Sequence, residues 1–192
     1  MSLVESLMVP LGSPAPGFAL VDAVSRKTFS LESYAGKPLL VTFLSNHCPY
    51  ARHVEAAYAR LANEFMEKGV ASVAICSNDA SSYPDDAPEK LAEQAARIGM
   101  KFPYLVDDTQ EVAKSYKAMC TPDFYLFDAQ HKLFYRGRFD SSRPEQDTPV
   151  NGSDLRAALE RLLTGQEPPE PQYPSMGCNI KWKPGNEPDY YG

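Results

Sequence analysis

The residues of this chain best suited to chemistry are its four cysteines, Cys48, Cys76, Cys120 and Cys178, and Cys48 has the most informative surroundings. It lies in Thr42-Phe-Leu-Ser-Asn-His47-Cys48-Pro49-Tyr50-Ala51-Arg52-His53, where a continuous apolar run gives way to a helical pattern. Pro49 suits the first helical position, since it lacks the amide hydrogen that has no partner there, and Cys48 is then the N-cap. A thiol so placed faces the positive end of the helix dipole and the free amides of the first turn. Both stabilise a thiolate and lower the pKa from roughly 8.5, making the sulfur a nucleophile at neutral pH. His47 and Arg52 add positive charge to the same segment. The plainer alternative is a small buried residue capping a helix, because free cysteine is among the most buried residue types.

The elements that must position Cys48 follow from pattern. Pro38-Leu-Leu-Val-Thr-Phe-Leu44 is an apolar run of the kind needed by a strand buried on both faces. Tyr50, Val54, Ala57, Tyr58, Leu61 and Phe65 then share one helical face up to Gly69, and Val70–Ile75 is a second buried strand. Asp86 with Glu89, and Asp108 with Glu111, are capping-box spacings that open helices near 87–98 and 109–118, with a strand at 102–106 between them. Residues 123–127 and 132–136 form an antiparallel hairpin, residues 18–21 and 27–29 a smaller one, and Ser153 caps a last helix ending at Gly165. Strand–helix alternation closing with a hairpin and a helix is an α/β sandwich around a mixed sheet. The globular part spans residues 1–165; residues 166–192 hold six of the 17 prolines and read as an extended tail packing on it, not as a further element.

Composition narrows the classes. Net charge is −6 over 192 residues with no basic block, which argues against a nucleic-acid surface. No apolar run approaches the roughly 18 residues that span a bilayer, and residues 1–16 do not read as a secretory signal, so a membrane partner is not expected and a reducing cytoplasm is the default. Four scattered cysteines in a chain of this size do not make a disulfide framework. The carboxylates Asp79, Asp85 and Asp86 lack the spacing of a calcium loop, and His47, Cys48 and His53 have Arg52 where a copper site would carry its second cysteine, so no metal is expected.

A strand ending in a helix-capping Cys-Pro-Tyr, followed much later by Thr121-Pro122 before a hairpin, resembles the thioredoxin fold. The extra segment at 86–107 and the following Asp-Thr-Gln-Glu-Val-Ala-Lys are similar to the redoxin branch that contains alkyl hydroperoxide reductase and thiol-specific antioxidant proteins. Asn46-His-Cys-Pro-Tyr50 and Gly177-Cys-Asn-Ile-Lys-Trp182 resemble a bacterial group within it. The resemblance implies a central mixed sheet with helices on both faces and a cis-Pro122 facing Cys48. It also implies an extended edge at Thr121 for substrate pairing, protein or small-molecule thiols and disulfides as partners, and no organic cofactor.

The chain departs from the active relatives at two places. A thioredoxin resolves its mixed disulfide with a second cysteine one helical turn into the helix, where this chain has Ala51. A peroxiredoxin carries Pro and Thr or Ser seven and three residues before its cysteine, where this chain has Val41 and Ser45. The leading expectation is a thiol-disulfide oxidoreductase with Cys48 as nucleophile. Its distant partner is Cys178, in the tail, with Cys120 as the rival two residues before Pro122. Alternatives are an antioxidant thiol peroxidase acting on peroxides and a non-catalytic binding module. Cys76 ends an apolar strand and reads as core. Arg136 and Arg138 share one strand face, from which one of them could reach the Cys48 thiolate.

Overall fold

The computed structural model describes residues 2–191. Along the chain the strands are β1 (Leu3–Glu5), β2 (Ala19–Asp22), β3 (Thr28–Ser30), β4 (Leu39–Phe43), β5 (Ala71–Cys76), β6 (Tyr104–Val106), β7 (Cys120–Thr121), β8 (Asp123–Phe127), β9 (Leu133–Gly137) and β10 (Met176–Asn179). The helices are α1 (Pro49–Glu67), α2 (Pro88–Ile98), α3 (Glu111–Tyr116) and α4 (Ser153–Leu163). Seven strands form the central sheet in the order β3-β2-β6-β5-β4-β8-β9. Strands β4, β5 and β6 run parallel, and β2, β3, β8 and β9 add antiparallel neighbours, so the sheet is mixed.

Strand β4 is an interior strand whose side chains feed two apolar layers. Leu40, with Leu44 just beyond the strand, packs with Val54, Tyr58, Leu91 and Leu159 from α1, α2 and α4. Leu39, Val41 and Phe43 turn the other way, onto Val112 and Tyr116 of α3. Helices therefore cover both faces. Tyr58 fixes α1 on its layer by edge-on contacts with Phe102 and Phe124, at centroid distances of 5.6 and 5.5 Å. Each such pair adds about 0.5–1.5 kcal/mol beyond the area buried.

Three sequence expectations change. Asp86 and Asp108 do not cap α2 and α3, whose N-caps are Ala87 and Gln110. Asp107 accepts the Val112 and Ala113 amides at the start of α3, while Asp108 pairs with Lys183 at 2.9 Å. Ser153 is the first helical residue of α4, not its cap; Gly152 caps it, and the Asp140 carboxylate accepts the Gly152 amide at 2.7 Å. The tail does contain a further element. Strand β10 lies between β1 and β7 in a second, three-stranded sheet. Strands this short carry too little side-chain pattern to show in sequence, and only their main-chain partners define them.

Candidate active site

Cys48 is the N-cap of α1 with Pro49 at the first helical position, as the spacing predicts. The loop before it is held from below by one carboxylate. Asp86, 2% exposed, accepts the Asn46 amide at 2.6 Å, the Asn78 side-chain amide at 2.8 Å and the Ser45 hydroxyl at 3.1 Å, and it pairs with the His47 ring. Ser45 Oγ in turn accepts the Cys48 amide at 3.2 Å. Ser45 therefore holds the main chain of Cys48 through its amide. The pattern explains why Asp86 stays ionised although buried: burial raises its pKa, but bonds from His47, Asn78 and Asn46 hold it below the usual carboxylate value. Helix α2 braces the same loop, since Gln94 bonds both the Ser45 carbonyl at 3.3 Å and Glu55 of α1 at 2.7 Å.

Strand β10 closes the site from above. Its register places Cys178 opposite Thr121, and the Cys48 and Cys178 side chains hydrogen-bond to each other. The Cys48 thiol is lowered to a pKa of about 6. The largest cause is the Cys178 thiol; the Thr121 side chain and the backbone amides of Ala51 and Cys178 add to it against the cost of burial. Ala51 lies in the first turn of α1, so the helix start supplies one donor, as its dipole predicts. The Thr121 carbonyl, 3.2 Å from Cys48 Sγ, favours the protonated thiol, and the donors outweigh it. Cys178 is pushed far up by the adjacent Cys48 and by burial. Of the two sulfurs Cys48 is thus the more acidic and Cys178 the one that holds its proton more tightly.

The Thr121-Pro122 bond is cis, and it sets the Thr121 carbonyl against Cys48. Cys120 is fully buried, its thiol directed to the Pro122 carbonyl at 3.8 Å and raised in pKa by burial. Cys76, at the end of β5, is likewise buried and raised. Of the three candidates, Cys178 is the one that touches Cys48.

Two expectations about positive charge fail. His47 turns away to Asp86 and stacks on Tyr83 at 4.8 Å, and Arg52 is exposed. Arg136 is engaged by the Val9 carbonyl at 2.8 Å and by Gln172 at 2.7 Å, while Arg138 pairs with Asp154 and lies over Tyr173. The neighbouring carbonyls and carboxylate out-compete a buried sulfur for these guanidiniums, so amide and thiol donors stabilise Cys48 instead. A shallow depression bounded by Tyr50, His53, Pro122, Arg143 and Met176 lies next to the residues that flank the pair.

Residues that sequence reasoning missed cluster around β10 and the residues that follow it. Asn78 links Asp86 to the Lys181 amide at 2.8 Å. Gln110 bonds the Lys181 carbonyl at 2.9 Å and the Lys183 amide at 2.9 Å, and the Ser175 hydroxyl donates to the Pro122 carbonyl. Lys181 is buried, and burial lowers its pKa; its ammonium donates to the Asn179 carbonyl at 2.6 Å. The only sequence signal was the glycine-flanked Cys178 followed by Ile180-Lys-Trp182 within a proline-rich tail.

Comparison with known proteins agrees with the fold. The chain is similar, at 51% identity, to an uncharacterized conserved protein from Geobacillus kaustophilus of known structure; the two superpose with a TM-score of 0.93 over 96% of this chain and 98% of that one. The thioredoxin domain of a thiol-disulfide oxidoreductase from Bacteroides vulgatus shares the fold, with a TM-score of 0.63 at 22% identity over 81% of this chain and 99% of that one. A curated relative, thiol-disulfide oxidoreductase ResA of Bacillus thuringiensis subsp. konkukian, is 25% identical over 64% of this chain, and the match spans 66% of its own length, just under two thirds. Residues 11–136, which carry β4, Cys48, α1 and the cis-Pro122 edge, match the family model, and on that match the chain belongs to the AhpC/TSA family.

Proposed function

We propose that this protein is a thiol-disulfide oxidoreductase in which Cys48 attacks a disulfide and Cys178 resolves the product. The observation that carries the reading is the hydrogen-bonded Cys48–Cys178 pair at the start of α1. The Cys48 thiolate attacks one sulfur of a substrate disulfide, forming a mixed disulfide and expelling the other sulfur as a thiolate, which takes up a proton. Cys178 then gives its proton to the second departing sulfur and attacks Cys48 Sγ, leaving a Cys48–Cys178 disulfide and a fully reduced substrate. The pKa coupling favours this order. Cys178 is held protonated mainly by the neighbouring Cys48, and once Cys48 is committed to a mixed disulfide that restraint disappears. Cys178 becomes a nucleophile only when it is needed.

The relatives' names support protein thiols and disulfides as the substrate class. Peroxides are the second substrate class of the proposal, on the AhpC/TSA match, although Ser45 bonds the Cys48 amide. A reducing compartment such as the cytoplasm also belongs to the proposal, on the cysteine arithmetic. Mild oxidation followed by non-reducing peptide mass spectrometry tests the pairing: the expected product is a Cys48–Cys178 linkage, and a Cys48–Cys120 linkage or none would refute it. Cys48→Ser is expected to abolish reduction of a disulfide substrate, and turnover that survives it excludes Cys48 as nucleophile. Stopped-flow oxidation by hydrogen peroxide separates the two substrate classes.

A further inference from the structure

Lys181, three residues beyond Cys178, is a buried cation without a carboxylate. It is 6% exposed, and no ion pair among the described residues includes it. Its ammonium donates to the Asn179 carbonyl at 2.6 Å and to Asn179 Oδ1 at 2.7 Å, and it lies 5.8 Å from the centre of the Tyr83 ring. Neutral oxygens and a ring face hold an ammonium in place without neutralising it, and a buried charge that lacks a counter-charge is costly. The main chain of the residue is fixed as well. Its amide donates to Asn78 at 2.8 Å, and its carbonyl accepts the Asp79 amide at 2.8 Å and the Gln110 side chain at 2.9 Å.

The anions that this charge meets are chiefly the two sulfurs. Burial lowers the Lys181 pKa, and the charges of Cys178, Cys48 and Asp86, in that order, oppose the shift. Asp86 is already matched by His47, Asn78 and the Asn46 amide. The arginines are spent elsewhere, since Arg52 is exposed and Arg136 and Arg138 hold other partners. Cys178 is pushed up by Cys48 and by burial, while the Tyr50 amide and Lys181 pull it down. On β7, across from it, stand the uncharged Thr121 and the Cys120 thiol, which burial keeps protonated. Once Cys48 enters a mixed disulfide its negative charge is gone, and burial alone of these opposes ionisation of Cys178. Lys181 is then the full positive charge set against that burial.

We propose that the Lys181 ammonium is the counter-charge for the thiolate that Cys178 becomes during resolution, and that it poises the Cys48–Cys178 couple towards the dithiol. The inference rests on the oxidoreductase reading and adds to it the residue that lets Cys178 ionise. In that step the Cys178 proton goes to the departing substrate sulfur, the Cys178 electron pair forms the bond to Cys48 Sγ, and the bond from Cys48 to the substrate breaks. The two cysteines are oxidised and the substrate disulfide is reduced. Lys181 keeps its proton throughout. A fixed charge costs no rearrangement when the thiolate forms, which is the advantage of a pinned main chain. The finished disulfide carries no charge and leaves the ammonium unmatched, so Lys181 makes the couple a stronger oxidant by stabilising its reduced form.

Stopped-flow reaction of the full-length protein with excess symmetrical disulfide of thionitrobenzoate tests it. Attack by Cys48 releases one thionitrobenzoate, which absorbs visibly, at a rate that follows reagent concentration. Resolution by Cys178 releases the second at a rate that does not. Lys181→Met keeps the length of the side chain and removes its charge. It is expected to slow the second phase about tenfold at neutral pH and to move the pH midpoint of that phase up by about one pH unit, tenfold being one pH unit of thiolate fraction. Lys181→Arg keeps the charge and should keep the wild-type midpoint. Equilibration with reduced and oxidised glutathione should show the ratio of disulfide to dithiol raised about tenfold in Lys181→Met. Lys181→Gln takes the place of the methionine variant if that one does not fold. A second phase unchanged by loss of the charge, or slowed alike by Lys181→Met and Lys181→Arg, would overturn the inference. Wild-type protein that gives no second phase defeats the oxidoreductase reading itself, whereas two wild-type phases with an indifferent Lys181→Met defeat the role of Lys181 alone.

Discussion

The floor and the roof of the site are built in opposite ways. Below Cys48, a single buried carboxylate collects donors from the loop at 45–47 and from Asn78, and α2 braces that loop through Gln94. Above it, β10 is held by short main-chain pairing and scattered side-chain bonds. A polar network gathered on one shared acceptor in a low-dielectric interior is rigid, because opening it strands several buried groups at once. Strand β10, paired on both sides but over only a few residues, rests instead on generic main-chain bonds. The Cys48 loop is thus held by donors gathered on one carboxylate, and Cys178 by main-chain pairing.

The comparison can be broken at either wall. The largest expected effect is at the floor. Asp86→Ala leaves the Asn46 amide, Ser45, His47 and Asn78 without their common acceptor, and a loss of about 3–5 kcal/mol in denaturant unfolding is expected. A loss below about 1 kcal/mol would show that the floor is not rigidly built.

Removal of the roof's sulfur should cost little stability and much chemistry. In Cys178→Ala, Cys48 loses the largest of the causes that lower its pKa, so its midpoint, followed by thiolate ultraviolet absorbance, should move up from about 6. The sign is fixed by linkage. A depressed thiol stabilises the folded state above its ordinary pKa, and that contribution fades as pH falls through about 6. Cys178→Ala should therefore be less stable relative to wild type at alkaline pH than at acid pH, and it should accumulate the mixed disulfide.

A third experiment sharpens the contrast beneath β7. Asp123 is fully buried beside Tyr125 and burial raises its pKa to about 8. A raised carboxyl contributes stability that is fully present below its unfolded pKa and is lost as pH rises towards about 8, so Asp123→Asn should flatten the fall in melting temperature between about pH 4 and pH 8. The smallest effect is at the surface. The pair Arg26–Glu89, at 3.4 Å and with side chains 61% and 69% exposed, should change stability by no more than about 0.5 kcal/mol when Arg26 is replaced by Ala, measured by denaturant unfolding.

Legibility in the sequence divides along the same line. The β4–Cys48–α1 junction was readable because every signal in it is local: an apolar run, a proline at the first helical position and a periodic face. Asp86 was misread as a helix cap, since Asp followed by Glu three residues later looks the same whether the carboxylate bonds its own helix or a loop 40 residues away in sequence. Arg136 of β9 and Arg138 just beyond it were read as sharing one strand face, but neighbours on other elements decided their partners.

By itself the sequence determined the layered α/β architecture, the helix-capping position of Cys48 and the short list of sulfurs that could join it, because hydrophobic period and capping chemistry act over a few residues. Only the tertiary structure set Cys178 against Cys48, turned the tail into a strand across the site, and set Asp86 beneath the loop. Those choices depend on which main-chain edges and buried donors meet across the folded chain, and chain-distant pairing leaves no periodic mark in the residues that make it.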